Sequence, residues 1–296
     1  MSAPVETDTA VTVRSALRDA MSHLRAARTP SYALAAELLL MHALGCDREW
    51  LYSHPEAALD GETARKFFEL VAQRARGVPT QYLTGKQEFW GLEFEVTSAV
   101  LIPRPETEHL IEVALERLGG RQKQENLRIA DMGTGSGCIA VALAHELRGA
   151  KIVATDISRA ALEIARRNAA RHGVLERLRF VECDLLDTVA SEGQLFDLIV
   201  SNPPYVARNE ESQLQQEVRK HEPREALFGG ATGTEIYARL IAEAGRHLRS
   251  GGLLAVEIAY GAAGEIRSMI ENAFWKNVDV TNDLARIPRV VSAERA

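Results

Sequence analysis

Apolar positions in the first quarter of the chain recur at three- and four-residue spacing. Val13, Leu17, Met21 and Leu24 form one such stripe, the mark of a helix with a single buried face. Pro30 suits the opening of a second helix over 31–44, and Gly45 suits its end, because glycine adopts the left-handed terminus at little cost. Trp50 and Leu51 predict a short third helix, and Phe67, Phe68 and Val71 predict a fourth. The pattern from 11 to 77 is that of a small helical bundle. Taken alone, such a bundle is a packing or partner-recognition module without chemistry.

Between Pro79 and Pro105 the period changes. Phe89, Leu92, Phe94 and Val96, with Gly85 and Gly91 nearby, predict short strands in a hairpin. Pro103 and Pro105 stiffen its exit, a helix over 107–118 follows, and 121–125 reads as a solvated loop. From 127 onward strands and helices alternate. The strands are predicted over 127–132, 151–155, 178–183, 196–201 and 253–258, with helices over 139–147, 160–172 and 235–248. Repeated βα units predict an α/β fold, an open and mostly parallel Rossmann-like sheet with helices on both faces. Ligands bind such sheets at the carboxyl ends of the strands.

A length of 296 residues favours two domains. The division expected is a disordered terminus over 1–10, a helical domain over 11–85, a hairpin linker over 86–106 and the α/β domain over 107–296. A net charge of −6 and a pI near 5.8 argue against a protein that holds nucleic acid mainly by charge. Cys46, Cys138 and Cys183 follow no metal-ligand spacing, so no metal is expected, and an odd cysteine count fits a reducing compartment. The first ten residues lack an apolar signal core, and no run is long enough to span a bilayer. A cytoplasmic protein without membrane contact is expected.

The first α/β strand ends in Asp131-Met132-Gly133-Thr134-Gly135-Ser136-Gly137 and runs straight into a helix. Alternating glycines let the chain turn sharply and let a ligand approach the backbone. The spacing is GxGxG rather than the GxGxxG of dinucleotide enzymes, and an acid precedes it. S-adenosylmethionine, with an amino group and a sulfonium in place of a pyrophosphate, suits nearby carboxylates, so Gly133, Thr134, Gly135, Ser136 and Gly137 are candidate cofactor-binding residues. Asp156, about twenty residues on, stands where a ribose-binding carboxylate belongs, while Ser158 can cap the next helix. Asp184 closes the third strand and is placed to accept from an adenine amino group.

The fourth strand ends in Ser201-Asn202-Pro203-Pro204-Tyr205, the most specific feature of the chain. Two prolines give a rigid backbone that offers carbonyls but no N–H groups. The Asn202 carbonyl and the Pro203 backbone carbonyl are suited to accept both hydrogens of a planar NH₂ group, with Pro204 lining the site and Tyr205 packing against the plane. Asn202, Pro203 and Tyr205 are thus the candidate catalytic residues, and Asn202 also borders the cofactor. Fixing both hydrogens of an amide orients its delocalised lone pair toward an incoming methyl carbon. His221 is a possible proton acceptor, but no strong base is required. The same motif suits an adenine or guanine amino group, against which the acidic balance argues. A cofactor-binding module without catalysis is disfavoured by the intact Asn202 and Tyr205.

Together the glycine loop, Asp156 and the Asn202 motif look like the class I methyltransferases that modify nitrogen. Pro79-Thr80-Gln81-Tyr82-Leu83-Thr84-Gly85, Glu88-Phe89-Trp90-Gly91 and Leu101-Ile102-Pro103-Arg104-Pro105-Glu106-Thr107-Glu108 narrow this further. With Ala36-Glu37-Leu38-Leu39-Leu40 and Glu222-Pro223-Arg224-Glu225-Ala226-Leu227, they resemble the bacterial release factor glutamine methyltransferases (the PrmC/HemK family), from about residue 11 to residue 292. The resemblance implies that the cofactor is S-adenosylmethionine and the partner a peptide chain release factor. Its Gly-Gly-Gln glutamine would become N5-methylglutamine, with no stable nucleic-acid binding. It also implies that the helical domain holds the release factor and that the hairpin around Phe89 and Arg104 closes over cofactor and glutamine. Leu185 takes a position at the cofactor where family members often carry an aromatic residue, and 283–291 lacks the glycine usual before the last strand. A ribosomal protein glutamine would suit the same motifs.

Overall fold

The computed structural model describes residues 11–123, 125–189, 193, 195–271 and 274–296. The chain forms two compact units, one of residues 1–85 with 216–221, the other of 86–215 with 222–296.

In the first unit the helical stripe folds as α1 (Val13–Ala26). Thr12 caps it by accepting from the Ser15 amide at 3.2 Å, and Ser15 returns the bond to the Thr12 amide at 2.9 Å, which satisfies two orphan donors at once. α2 (Tyr32–Leu44) begins two residues after Pro30. Ser31 stands at its start in the left-handed region (φ 48°) and makes no side-chain cap, so the helix starts later than proline suggested. Gly45 ends it as expected, at φ 67°. α3 (Arg48–Ser53), α4 (Gly61–Ala75) and α5 (Thr80–Thr84) complete the first stretch. Leu24, Leu39, Leu40, Leu51 and Phe67 meet in one apolar core. The late segment 216–221 joins this unit as a short helix, where Glu217 pairs with the buried Arg74 at 2.6 Å. Without that partner the guanidinium would be a costly buried charge.

The second unit opens with β1 (Lys86–Phe89) and β2 (Leu92–Glu95), the predicted hairpin. α6 (Pro105–Leu118), β3 (Arg128–Met132), α7 (Cys138–Glu146), β4 (Lys151–Asp156), α8 (Arg159–Arg171), β5 (Leu178–Glu182) and β6 (Phe196–Ser201) follow. Next come β7 (Val206–Ala207), then α9 (Gln216–His221) of the first unit, and β8 (Phe228–Gly230). α10 (Glu235–His247), β9 (Leu248–Glu257), α11 (Ala263–Ile270), β10 (Trp275–Asn282) and β11 (Pro288–Arg295) end the chain. The main sheet has seven strands in the order β10-β11-β9-β6-β3-β4-β5. The five from β5 to β9 are parallel, and β11 and β10 join antiparallel.

All six residues of β6 are buried, as expected of a strand covered on both faces. One face packs α6, α7 and the hairpin through Leu110, Ile111, Val141 and Phe94. The other packs α10 and α11 through Tyr237, Leu240, Ile241 and Ile266. The hairpin belongs to this unit rather than forming a separate linker. Asn168 of α8 accepts from the Glu95 amide at 2.7 Å and donates to the carbonyl oxygens of Glu95 and Ser136 at 3.0 and 2.9 Å. The segment read as a solvated loop begins in a tight turn over Gly119–Lys123, where Arg121 reaches the Gly251 carbonyl at 2.6 Å. The expectations for 1–10 and for Gln124 lie outside the described residues.

Candidate active site

A cavity of about 510 Å³ opens at the carboxyl ends of β3, β4, β5 and β6, on either side of the point where the strand order reverses. Gly133 and Gly135 line it from the first of these strands. Both have positive φ (73° and 55°), and a Cβ on either would point into open space, so a ligand can approach this backbone. Gly137 (φ 81°) turns the other way, where a Cβ would meet the Ala165 Cβ at 3.0 Å. Its missing side chain lets the loop sit against α8. Thr134 and Ser136 are buried beneath the loop and do not line the cavity.

The two acids of the glycine-loop argument part company. Asp131 is fully buried, accepts from the Thr134 hydroxyl at 2.6 Å and braces the loop from below. Burial pushes its carboxyl up to about 7. Asp156 does line the cavity. One of its oxygens accepts from the Gly135 amide at 2.9 Å and the other from the Ser158 amide at 2.8 Å. Burial raises its carboxyl, against the lowering effect of those two N–H groups. Ser158 caps α8 as expected, accepting from the Ala161 amide at 3.2 Å. Ile157 beside it is 55% exposed and lines the cavity, an apolar face that the sequence argument missed.

Asp184 and Leu185 also line the cavity, after β5. Asp184 is held by Arg239 at 2.7 Å on the surface, and Leu185 adopts φ 50°, a conformation a branched side chain enters at a cost. Phe89 and Arg104 do not line it. The Phe89 ring is 1% exposed and enclosed with Phe94 and Leu110 in the core, which leaves no face for a ligand. Arg104 spends its guanidinium on the buried Glu222 at 2.6 Å. In this arrangement neither residue faces the cavity over which the hairpin was expected to close.

Asn202, Pro203 and Pro204 line the cavity at the end of β6. The Ser201 hydroxyl donates to the Met132 carbonyl at 2.7 Å and ties this strand end to the glycine loop. Backbone crowds the motif from behind: a Cβ on Gly229 would lie 2.3 Å from the Pro204 carbonyl oxygen. Tyr205 does not line the cavity. Its ring is partly buried against the core, and its hydroxyl donates to Glu257 at 3.4 Å. Burial raises the phenol's pKa, and the Glu257 charge adds to the effect. His221 ends α9, with its Nε2 buried and without a hydrogen-bond partner among the described residues.

Two residues that sequence reasoning had not placed in the site stand behind the motif. The Asn202 Nδ2 donates to the Thr107 hydroxyl at 3.0 Å, and that hydroxyl donates to Glu257 Oε2 at 2.7 Å. Glu257 ends β9, 1% exposed, and its backbone carbonyl accepts from the Tyr237 hydroxyl at 2.9 Å. Burial pushes its carboxyl up to about 7, opposed first by the Thr107 hydrogen bond and then by the charge of Arg289.

Residues 112–283 match the methyltransferase small domain, and residues 15–85 match the PrmC N-terminal domain. A release factor glutamine methyltransferase of Koribacter versatilis is 46% identical over 95% of this chain and 98% of its own. One of Rhodopirellula baltica is 38% identical over 99% of this chain and 100% of its own. The chain belongs to the release factor glutamine methyltransferase family.

The protein is therefore a methyltransferase that uses S-adenosylmethionine, with the class I fold expected. In fold it is similar to the hMettl16 catalytic domain solved in complex with a 3′UTR hairpin, at TM-score 0.55 and 18% identity over 76% of this chain and 82% of that one. It is also similar to a T. thermophilus 16S rRNA methyltransferase solved with AdoMet and guanosine, at TM-score 0.50 and 19% identity over 71% of this chain and 50% of that one. The cavity suits S-adenosylmethionine by its own features: an open glycine backbone, an exposed apolar Ile157 and the acids Asp156 and Asp184 at its rim. No described helix is long and apolar enough to cross a membrane.

Proposed function

We propose that this methyltransferase modifies the side-chain amide nitrogen of the glutamine in the Gly-Gly-Gln motif of peptide chain release factors, giving N5-methylglutamine. The observation that carries the reading is the reach of the similarity. It spans 99% of this chain and all of the Rhodopirellula baltica release factor glutamine methyltransferase, so it includes the helical unit as well as the catalytic one. The helical unit is assigned to recognition of the release factor, an acidic protein of this kind needs no stable nucleic-acid contact, and the substrate implies a cytoplasmic location.

S-adenosylmethionine supplies an electrophilic methyl group when bound, and Gly133, Gly135, Ile157, Asp156, Asp184 and Leu185 are the residues that would hold it. The protein's own part is binding and orientation. An amide nitrogen is a weak nucleophile because its lone pair is shared with the carbonyl. Asn202 and the Pro203 carbonyl accept its two hydrogens in fixed directions, which aims the lone pair and stabilises the positive charge that grows on nitrogen. Positioning of this quality supplies roughly 7–11 kcal/mol in well-oriented reactions.

The test incubates the full chain and labelled S-adenosylmethionine with purified release factor, ribosomal protein or nucleic acid in separate reactions. Label is expected in the release factor and absent when its Gly-Gly-Gln glutamine is replaced by alanine. Label in ribosomal protein or nucleic acid, with none in the release factor, overturns the assignment.

A further inference from the structure

Asn202, Thr107 and Glu257 come from three distant stretches of chain, with Thr107 and Glu257 separated by 150 positions, and they form one continuous run of hydrogen bonds. We propose that Thr107 and Glu257 are positioning residues that set the rotation of the Asn202 side-chain amide, so that its carbonyl oxygen rather than its NH₂ group faces the substrate. The inference rests on the glutamine-methylation reading above and deepens it.

Donor bookkeeping carries the argument. A threonine hydroxyl has a single hydrogen, and Thr107 gives it to Glu257 Oε2 at 2.7 Å. Toward Asn202 the hydroxyl therefore presents a lone pair, which the amide meets with its Nδ2 hydrogens at 3.0 Å. The carbonyl oxygen, at the other end of the planar amide, is the atom left for the cavity that Asn202 lines. A substrate NH₂ group carries donors only, so an asparagine turned the other way would set donor against donor. Glu257 Oε1 meanwhile accepts from the Tyr205 hydroxyl, so one carboxylate references both ends of the motif.

The direction of the chain requires an ionised Glu257. A protonated carboxyl has a hydrogen of its own to give. Giving it to Thr107 turns the threonine hydrogen toward Asn202 and draws the amide oxygen inward, away from substrate. Arg289 of β11 faces Glu257 and favours the ionised form, Glu106 of α6 opposes it, and Thr107 and Tyr205 donate to it. Tyr237 of α10 donates only to its backbone carbonyl. With the carboxyl pushed up to about 7 by burial, the reversal falls within ordinary assay conditions.

The experiment compares wild type, Thr107→Val, which keeps the shape and removes the hydroxyl, and Thr107→Ser, which restores it. Methylation of release factor is followed from about pH 5.5 to about pH 9, and S-adenosylmethionine affinity is measured by calorimetry. Wild-type kcat is expected to fall on the acid side with a midpoint near 7, the value to which Glu257 is raised. Thr107→Val should lose about 10- to 100-fold in kcat, keep its S-adenosylmethionine affinity within about two-fold and lose the acid limb. Thr107→Ser should recover both rate and limb. A Thr107→Val variant with wild-type kcat and an unchanged acid limb overturns the proposal, as does a loss of cofactor affinity in step with rate. Failure of the wild type itself to methylate release factor overturns the underlying reading instead.

Discussion

The Asp156 carboxylate accepts from the Gly135 amide at 2.9 Å, so the acid that ends β4 holds the loop that leaves β3. Asp156→Ala removes that acceptor and the one for Ser158. Hydrogen bonds to charged groups contribute about 1.5–3 kcal/mol. The variant is expected to bind S-adenosylmethionine about 10- to 100-fold more weakly in calorimetry. Unchanged affinity would show that the loop keeps its shape without this brace.

Gly229 has no room for a methyl group. Its Cβ would stand 2.3 Å from the Pro204 carbonyl oxygen and 2.7 Å from the Gly233 carbonyl oxygen, and both are backbone atoms that cannot rotate aside. Gly229→Ala should displace the Asn202 motif and cost roughly 1–3 kcal/mol of stability. Because a misplacement of about 1 Å costs about 100-fold in rate, kcat is expected to suffer more than the melting temperature. Full turnover in this variant would mean that the loop tolerates the shift.

Asn168 and Arg167 both reach Glu95 from α8, and they should not matter equally. Asn168 is fully buried and satisfies the Glu95 amide and two carbonyl oxygens. Arg167 makes an exposed ion pair with the Glu95 carboxylate at 2.8 Å. Asn168→Ala is expected to cost roughly 1–3 kcal/mol through the backbone groups it strands. Arg167→Ala should cost about 0–1 kcal/mol, as exposed pairs do. Chemical denaturation of the two variants side by side decides the point, and equal losses would contradict it.

Asp131 makes stability fall as pH rises. Burial lifts its carboxyl to about 7, so between the unfolded value near 4 and the folded value the native state holds a proton that the unfolded chain has released. The contribution is fully present below about pH 4 and is lost as pH climbs through about 7, with a slope of about 1.4 kcal/mol per pH unit. Asp131→Asn removes the titration. The stability difference between wild type and variant, from urea unfolding between about pH 5 and about pH 8, should therefore shift against the wild type with rising pH. A constant difference would mean that native Asp131 is already ionised across this window, as it is in the unfolded chain.

Local chemistry was legible in the sequence, and long-range contact was not. The glycine loop, Asp156 and Asn202 were readable because each sits at the end of a buried apolar strand, where composition changes abruptly. β10 was missed because its residues from Lys276 to Asn282 are half-buried or exposed, and an edge strand that faces solvent leaves no apolar run. Phe89 was placed at the cofactor by the family resemblance alone, and nothing in the local sequence separates an aromatic ring that meets a ligand from one enclosed in a core. Glu257 was invisible for a related reason: its partner Thr107 lies 150 positions away. Only the insertion of β9 beside β6 and the packing of α6 against that face bring the two together.

The Asn168 bridge also bears on how the cofactor site meets its ligand. A loop with glycines at three alternate positions has an unusually large set of conformations to lose when it is ordered. By bonding the Ser136 carbonyl and the hairpin at once, Asn168 removes that conformational entropy when the catalytic unit folds. Ligand association then begins from a preorganised cradle, and more of its contact free energy remains as affinity.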